Sequence, residues 1–145
     1  PSINQGDRVP SAFVPELSRR ARGMPVWAML KTLGRAGVGE LVERHCAFAR
    51  RFADLLAAEP GIRIMNEVTI NQVIVNFGEG DAAARKAATE EVIAKVQQGG
   101  VCFVGGAAWH GDWVMRLSIS SGATTEADID MSAAAIIAAW REVRG

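Results

Sequence analysis

The order of hydrophobic periodicities constrains the fold of this chain more than any other feature. Apolar residues recur at helical spacing first, then at the spacing of two strands, one helix, two further strands and a last helix. This order predicts an α+β domain, in which long N-terminal helices precede a small, mostly antiparallel sheet of three or four strands. We expect the helices to cover one face of that sheet.

Glycine and proline set the predicted boundaries of the first helices. Residues 1–15 lack periodicity and predict an irregular lead-in. Pro25 suits a first helical position, and the stripe that follows is interrupted from Gly34 onward. A second helix is predicted over residues 38–58, and Glu59-Pro60-Gly61 ends it because proline cannot continue a helix.

β-branched runs predict four strands, and polar residues predict the caps of the helices between them. Asp81 is the expected N-cap of a helix that Gly99-Gly100 ends, and Thr125 with Asp128 resembles a capping box for the last helix. Residues 105, 106 and 110–112 are predicted as loop. The predicted strands are 62–68, 70–77, 101–104 and 113–119.

Composition excludes several classes of protein. The 145 residues carry 16 basic and 16 acidic side chains, which argues against a general nucleic-acid binder. No apolar run approaches the roughly 18 residues of a membrane helix, and two cysteines favour a reducing, cytoplasmic setting.

The net charge of zero is unevenly distributed along the chain, because residues 1–63 carry a net charge of +4 and residues 64–145 a net charge of −4. Such a split can join two parts of a chain or line an anion site.

The histidines and cysteines do not predict a metal site. His45 and Cys46 are adjacent on a helix and point about 100° apart. Cys102 and His110 lie in different elements, and no paired metal-ligand spacing occurs. A nucleophilic pair of Cys102 and His110 would have to form through folding alone, and a buried structural cysteine is the more common case.

Two further motifs have ordinary structural interpretations. Gly78-Glu79-Gly80-Asp81 lacks the glycine and Gly-Lys-Ser/Thr pattern of a phosphate loop, so a strand-to-helix turn is predicted. The acidic run Glu126, Asp128 and Asp130 lacks the glycine and terminal glutamate of a calcium loop, and acids in a first turn complement the helix dipole.

Lysine supplies no Schiff-base candidate, because Lys31, Lys86 and Lys95 all lie on predicted solvated helix faces.

Arginine supplies the anion-binding candidates. Alternation over residues 113–120 places Arg116 among Val114, Ser118 and Ser120 on the face turned away from the helices. A guanidinium held on a strand can bind a carboxylate through two parallel hydrogen bonds. Ser18-Arg19-Arg20-Ala21-Arg22 is the densest basic cluster and suggests either an anion site or a solvated helix lead-in.

Several stretches also share a pattern with a known family. The most specific is Ser18-Arg19-Arg20-Ala21-Arg22 followed by Pro25-Val26-Trp27. The others are residues 31–37, 41–46, 71–73, 114–120 and 124–130. Together they resemble the pyridoxal-phosphate-dependent amino-acid decarboxylases of group II, which include the aromatic-amino-acid, glutamate and diaminobutyrate decarboxylases. The similarity covers essentially the whole chain.

The resemblance implies that this chain is the C-terminal portion of a longer enzyme, and its start at Pro1 agrees with a cut. Residues 1–35 would be a lead-in and a helix returning from a missing large domain, and residues 36–145 the small C-terminal α+β domain of an aspartate-aminotransferase-like fold. The family's Schiff-base lysine and main cofactor-binding residues lie in that large domain. We therefore expect no catalytic residue in this fragment, no activity from it alone, and pyridoxal phosphate (PLP) only in the full-length enzyme.

The resemblance also assigns two substrate-binding residues. Arg116 corresponds to a family arginine near the substrate carboxylate, and Arg20 to one near the wall of the active site. The implied partners are an amino-acid substrate, the remaining large domain and the second subunit of a homodimer. Two alternatives stay open: a free-standing non-catalytic α+β module for ligand binding or dimerisation, and a related fold used for transamination.

Overall fold

The computed structural model describes residues 20–145, which fall into two units. The first unit ends at Val38 and the second comprises Gly39–Gly145. The predicted lead-in over residues 1–15 and the start of the basic cluster, through Arg19, lie outside the described residues. The assignment of residues 1–35 to a missing large domain and of residues 36–145 to a small domain stays a prediction.

Helix α1 spans Gly23–Ala57 and is interrupted at one glycine, as the sequence predicts. Gly34 has φ 62° and ψ −173°, a backbone conformation that a residue with a Cβ rarely adopts. The predicted start at Pro25 lies in the first turn of α1, and the predicted stop at Pro60 follows its last residue closely. In the second unit, α1 buries His45, Ala49, Phe52, Ala53 and Leu56.

The second unit contains one four-stranded sheet and two more helices. The strands lie in the order β1-β2-β4-β3, and every neighbouring pair is antiparallel. The predicted α+β class and the predicted element order are therefore confirmed. The elements are β1 Ile62–Ile64, β2 Gln72–Phe77, α2 Ala82–Gly99, β3 Gly105–Trp109, β4 Asp112–Ser118 and α3 Glu126–Arg144.

The predicted helix caps are confirmed at α2 and α3. The Asp81 side chain accepts a hydrogen bond from the backbone N–H of Ala84, and Gly100 ends α2 in the left-handed conformation. Thr125 and Asp128 form the reciprocal capping box of α3. The hydrogen bonds from Thr125 hold the pKa of the Asp128 carboxyl below its usual value.

The third strand was predicted in the wrong place. Residues 101–104 are not a strand, and β3 begins at Gly105, which the sequence suggested was loop. The reason is tertiary: a Cβ on Gly106 would lie 2.6 Å from Cζ2 of Trp113, so this glycine admits the indole rather than making a turn. The first two strands are also shorter than predicted, because residues 65–71 form their connection.

Within the second unit, α2, α3 and the part of α1 that follows Gly39 pack on one face of the sheet, as predicted. Residues of β2 and β4 that alternate toward this face include Val73, Val75, Phe77, Met115 and Leu117, and all are buried in one core with residues of α1, α2 and α3. The opposite face, which we call the open face, carries alternating residues that stand outside this core. They are Arg63, Ile74, Asn76, Val114 and Arg116, of which the two arginines are exposed and the other three are buried.

Ion pairs join the basic and acidic parts of the chain across the helices. Arg51 of α1 donates to Asp130 of α3 at 2.7 and 2.8 Å and lies 3.2 Å from Glu126. At the other end of α3, buried Glu59 lies 2.6 Å from Arg141 and 3.0 Å from Arg144. Only the Arg51 pairs follow the charge split, because Glu59 is an acid of the basic part and Arg141 and Arg144 are bases of the acidic part.

We expect acid to destabilise the second unit partly through Glu59. Hydrogen bonding to Arg141, with the charges of Arg141 and Arg144, lowers the pKa of the Glu59 carboxyl despite its burial. A carboxyl whose pKa is depressed by folding stabilises the fold above its unfolded pKa, and this stabilisation disappears as the pH falls through the folded pKa. Glu59→Gln should therefore lower Tm at pH 7 by about 5 °C or more and flatten the fall of Tm in acid.

The measurement is thermal unfolding followed by circular dichroism from about pH 7 down to about pH 3. Glu90→Gln is the matched control, because Glu90 makes only an exposed pair with Lys86 at 3.8 Å. A Glu59→Gln variant whose Tm follows the parent curve at every pH would show that Glu59 contributes nothing to acid stability.

Candidate functional site

The candidate site is built around Arg116 on the open face of the sheet. In β4, Met115 and Leu117 point into the core, so Arg116 between them points the other way, as predicted from alternation. Its side chain is exposed, and no hydrogen bond or salt bridge joins it to another residue within 20–145. Within that range, no other group occupies the guanidinium donors of Arg116.

The neighbours of Arg116 leave room beside it. Ile74 of β2 lies opposite Arg116 on one side, and Gly105 of β3 lies opposite on the other. Residues directly opposite in antiparallel strands share a face and have Cα atoms about 5 Å apart. A Cβ on Gly105 would have no atom within 4 Å, so the guanidinium can be approached from the β3 side. A planar carboxylate fits such a site through two parallel hydrogen bonds.

A cavity of about 470 Å³ adjoins this site and includes Ile74 in its wall. One wall is the connection between β1 and β2, and the other is the end of the β3–β4 hairpin. His110 stands in the left-handed region at φ 48°, and its ring meets that of Trp109 edge-on at 4.8 Å. The lining residues are Met65, Asn66, Glu67, Thr69, Ile70, Gln72, Ile74, Trp109 and His110.

This cavity is the part of the site that the sequence did not reveal. The sequence suggested that residues 62–68 and 70–77 were nearly continuous strands, so no loop was expected there. In the structure Asn66 reaches back to β2: its Oδ1 accepts from the N–H of Ile74 at 2.8 Å, and its Nδ2 donates to Gln72 O at 3.2 Å. The polar pair Asn66-Glu67 inside an apolar run was an available signal of this turn.

A second cavity, of about 200 Å³, lies at the C-terminal end of β4 beside Phe52, Cys102 and several serines. Burial raises the pKa of the Cys102 thiol, although a hydrogen bond with Ser132 opposes the shift. Cys102 precedes β3 and His110 follows it, and a five-residue strand spans roughly 17 Å. The structure therefore does not bring Cys102 and His110 together as a nucleophilic pair, and the thiol is held in its unreactive form.

Most of the curated proteins of similar sequence are named as amino-acid decarboxylases. Tyrosine decarboxylase 2 of Arabidopsis thaliana is 25% identical over 112 residues, which are 76% of this chain and 21% of that protein. L-aspartate decarboxylase of Thermococcus kodakarensis is 37% identical over 73 residues, or 50% of this chain and 18% of that protein. 3,4-Dihydroxyphenylacetaldehyde synthase of Aedes aegypti is 26% identical over 89% of this chain and 22% of its own length. No profile of a known protein family matches the chain.

Solved structures show the same fold. The crystal structure of Oryza sativa TDC with PLP and tryptamine superposes with a TM-score of 0.79 at 20% identity, over 88% of this chain and 28% of that one. The crystal structure of mouse CSAD gives a TM-score of 0.75 at 16% identity, over 94% of this chain and 32% of that one. The chain is thus similar in sequence to amino-acid decarboxylases, and similar in fold to a solved structure that contains PLP.

The chain matches only part of each amino-acid decarboxylase. This chain spans about a fifth of the length of the curated decarboxylases that it matches. Most of each relative therefore has no counterpart among these 145 residues. The activity of the whole decarboxylases can therefore only be proposed for this chain.

The three lysines of the chain all lie on helices. A lysine that binds the cofactor must be deprotonated, through burial or cationic neighbours. Lys95 instead lies 3.0 Å from Glu142, and Lys86 lies 3.8 Å from Glu90 and 5.5 Å from the centre of the Trp113 ring. Lys31 is exposed on the part of α1 in the first unit.

Arg20 and His45 each form a hydrogen bond with a backbone group. Arg20 is exposed in the first unit, where its carbonyl accepts a hydrogen bond from the N–H of Arg22 at 2.7 Å. His45 lies in the second unit and its Nε2 is 3.0 Å from the carbonyl oxygen of Ser121.

Among residues 20–145 no group of three potential metal ligands occurs, and no helix is long and apolar enough to cross a bilayer.

Proposed function

We propose that this chain is the C-terminal part of a PLP-dependent amino-acid decarboxylase, in which Arg116 binds the carboxylate of the substrate. The observation that carries the proposal is the exposed Arg116 guanidinium, which has no partner in the described part of the chain and stands on the face of the sheet opposite α2 and α3, in a decarboxylase-like fold. The sequence relatives support the class of substrate, since their names specify amino-acid decarboxylases.

The chemistry we assign to Arg116 is orientation of the substrate. Two parallel hydrogen bonds to a carboxylate fix both its position and the plane of the group. Very tight binding of the ground state would not accelerate the reaction, so the useful effect is to hold the bond to be broken in a reactive alignment. Ser118, on the same face and also exposed, is available to bond the same ligand.

The rest of the proposed enzyme has to supply what these residues lack. We propose that a large domain carries the lysine and the cofactor, that the fragment alone is inactive, and that the enzyme is a cytoplasmic homodimer. A role for Arg20 at the wall of the active site belongs to the same proposal. This division of labour is consistent with the lysines of this chain, two of which lie beside carboxylates on helix surfaces.

Cofactor titration tests this division. We expect the 145-residue chain mixed with PLP to give no stoichiometric absorption band near about 420 nm, the region of lysine-bound PLP. A polypeptide that extends this chain upstream should show the band and release carbon dioxide from an amino acid. A stoichiometric band from the chain alone would overturn the proposal. An extended protein without a reactive lysine would favour the alternative of a non-catalytic module.

A further inference from the structure

The cavity between the β1–β2 connection and the β3–β4 hairpin is lined by both apolar and polar side chains. Its volume of about 470 Å³ lies within the range of about 300–1,000 Å³ that is typical of small-molecule sites. Met65, Ile70 and Ile74 supply aliphatic surface, and Trp109 supplies an aromatic ring that is 37% exposed. A ligand of this cavity should therefore have an apolar body.

Hydrogen bonds hold both walls of this cavity in place. On the side of the β1–β2 connection, the N–H of Met65 donates to the carbonyl oxygen of Ile74 at 2.8 Å. The side-chain amide of Asn66 donates to the carbonyl oxygens of Glu67 and Gln72 at 3.1 and 3.2 Å. On the other side, the last pair of the β3–β4 ladder closes a two-residue turn with positive φ at both positions. The cavity is therefore formed without a ligand, as small-molecule sites usually are.

Four polar side chains of the lining make no side-chain hydrogen bond or salt bridge with another residue within 20–145. They are Glu67, Thr69, Gln72 and His110. Asn66 differs from them, because its Oδ1 accepts from the N–H of Ile74 and its Nδ2 is used within the wall. A ligand that bonds to the four side chains thus displaces no hydrogen bond within this part of the chain.

The charge of the lining favours a cation. Histidine is largely neutral at about pH 7.5, so Glu67 carries the one full charge among the lining residues, which include no lysine or arginine. The face of an indole also attracts cations. An ammonium group has three donors and no acceptor, which suits the carboxylate of Glu67 together with the side-chain oxygens of Thr69 and Gln72. An anion would be repelled by Glu67.

We propose that this cavity binds an organic ammonium ion with an apolar body, such as an arylalkylamine. The ammonium group lies at Glu67, and the apolar body packs against Trp109 and Ile74. The proposal rests on the lining residues alone, and Arg116 is not one of them. It therefore holds whether or not Arg116 binds a substrate, and its failure would leave the proposed function untouched.

Titration of the 145-residue chain with 2-phenylethylamine, followed by nuclear magnetic resonance at about pH 7.5, tests the proposal. We expect the backbone amide signals of Thr69, Gln72 and His110 to shift together and to saturate with one Kd between about 0.1 and about 10 mM, as for a ligand of this size. Three matched probes separate the charge from the ring. Butylamine lacks the ring, 2-phenylethanol lacks the charge and 3-phenylpropanoate reverses it, so each should bind at least about threefold more weakly.

Two variants assign the parts of the ligand to residues. Glu67→Gln should weaken binding of 2-phenylethylamine at least about threefold and leave 2-phenylethanol unchanged, because it removes the charge and keeps the shape of the side chain. Trp109→Ala should weaken both phenyl compounds more than butylamine, because it removes the ring. Glu90→Gln is the matched control, since Glu90 pairs with Lys86 on α2 and should bind every probe like the parent. Glu67 is exposed, so Glu67→Gln should also keep the parent Tm.

Three results would overturn the proposal. The first is binding of 3-phenylpropanoate as tight as that of 2-phenylethylamine, because the cavity would then not select a cation. The second is equal affinity of the parent and Glu67→Gln for the amine. The third is the absence of saturable shifts at Thr69, Gln72 and His110 up to about 50 mM amine, well above the expected Kd.

Discussion

Trp140→Ala is expected to lower the free energy of unfolding of the second unit by about 3–5 kcal/mol, the usual result of removing a large buried aromatic side chain. Trp140 is 5% exposed, and its ring centroid lies 5.8 Å from that of Phe77. Its indole N–H donates to the carbonyl of Pro60 at 2.8 Å. A Cβ on Gly61 would lie 2.6 Å from Cζ2 of Trp140, so the neighbouring backbone fits closely around the ring.

Urea unfolding followed by circular dichroism measures this effect. Trp140→Phe should lose roughly 1–2 kcal/mol, because a ring remains while the hydrogen bond to Pro60 is lost. Phe103→Ala is the control for removal of an exposed aromatic, since Phe103 is 81% exposed, and should change stability by less than about 0.5 kcal/mol. If Trp140→Ala unfolded at the same urea concentration as the control, the core described around α3 would be wrong.

Arg116→Ala is expected to lower kcat/KM of the extended enzyme by about 100-fold, as the loss of charge-assisted hydrogen bonds worth about 1.5–3 kcal/mol implies. The physical reason is that Arg116 is exposed on the open face without a described partner, so its donors would serve the substrate rather than the fold. Arg116→Lys should recover only part of the loss, because an ammonium cannot make the two parallel bonds of a guanidinium.

Steady-state kinetics with the extended protein, alongside the absorbance of bound cofactor near about 420 nm, measure this effect. Cofactor binding should persist in both Arg116 variants, which separates loss of substrate binding from loss of the cofactor. Arg51→Ala is a matched control, because Arg51 pairs with Asp130 on the helical side of the sheet and should leave kcat/KM unchanged. Arg116→Ala with parental kinetics would reject the substrate role of this arginine.

Local signals predicted most of the fold because they depend on neighbours in sequence. The caps at Asp81 and Thr125, the interruption at Gly34 and the stop at Pro60 all act within one helical turn. Alternation in β4 likewise required only a two-residue period to place Arg116 on the face away from the helices. The position of β3 could not be predicted in this way, since Gly106 is in a strand because a tryptophan seven residues later packs on it.

The sequence by itself determined the order of the elements, the α+β class and the face on which Arg116 lies, because periodicity and capping are encoded within a few consecutive residues. Only the tertiary structure decided which residues surround that face. It placed Ile74 and Gly105 beside Arg116, formed the cavity between Asn66 and Trp109, separated Cys102 from His110, and put β3 at an edge of the sheet. Each of these depends on strand register and on contacts between residues distant in sequence, which no local pattern specifies.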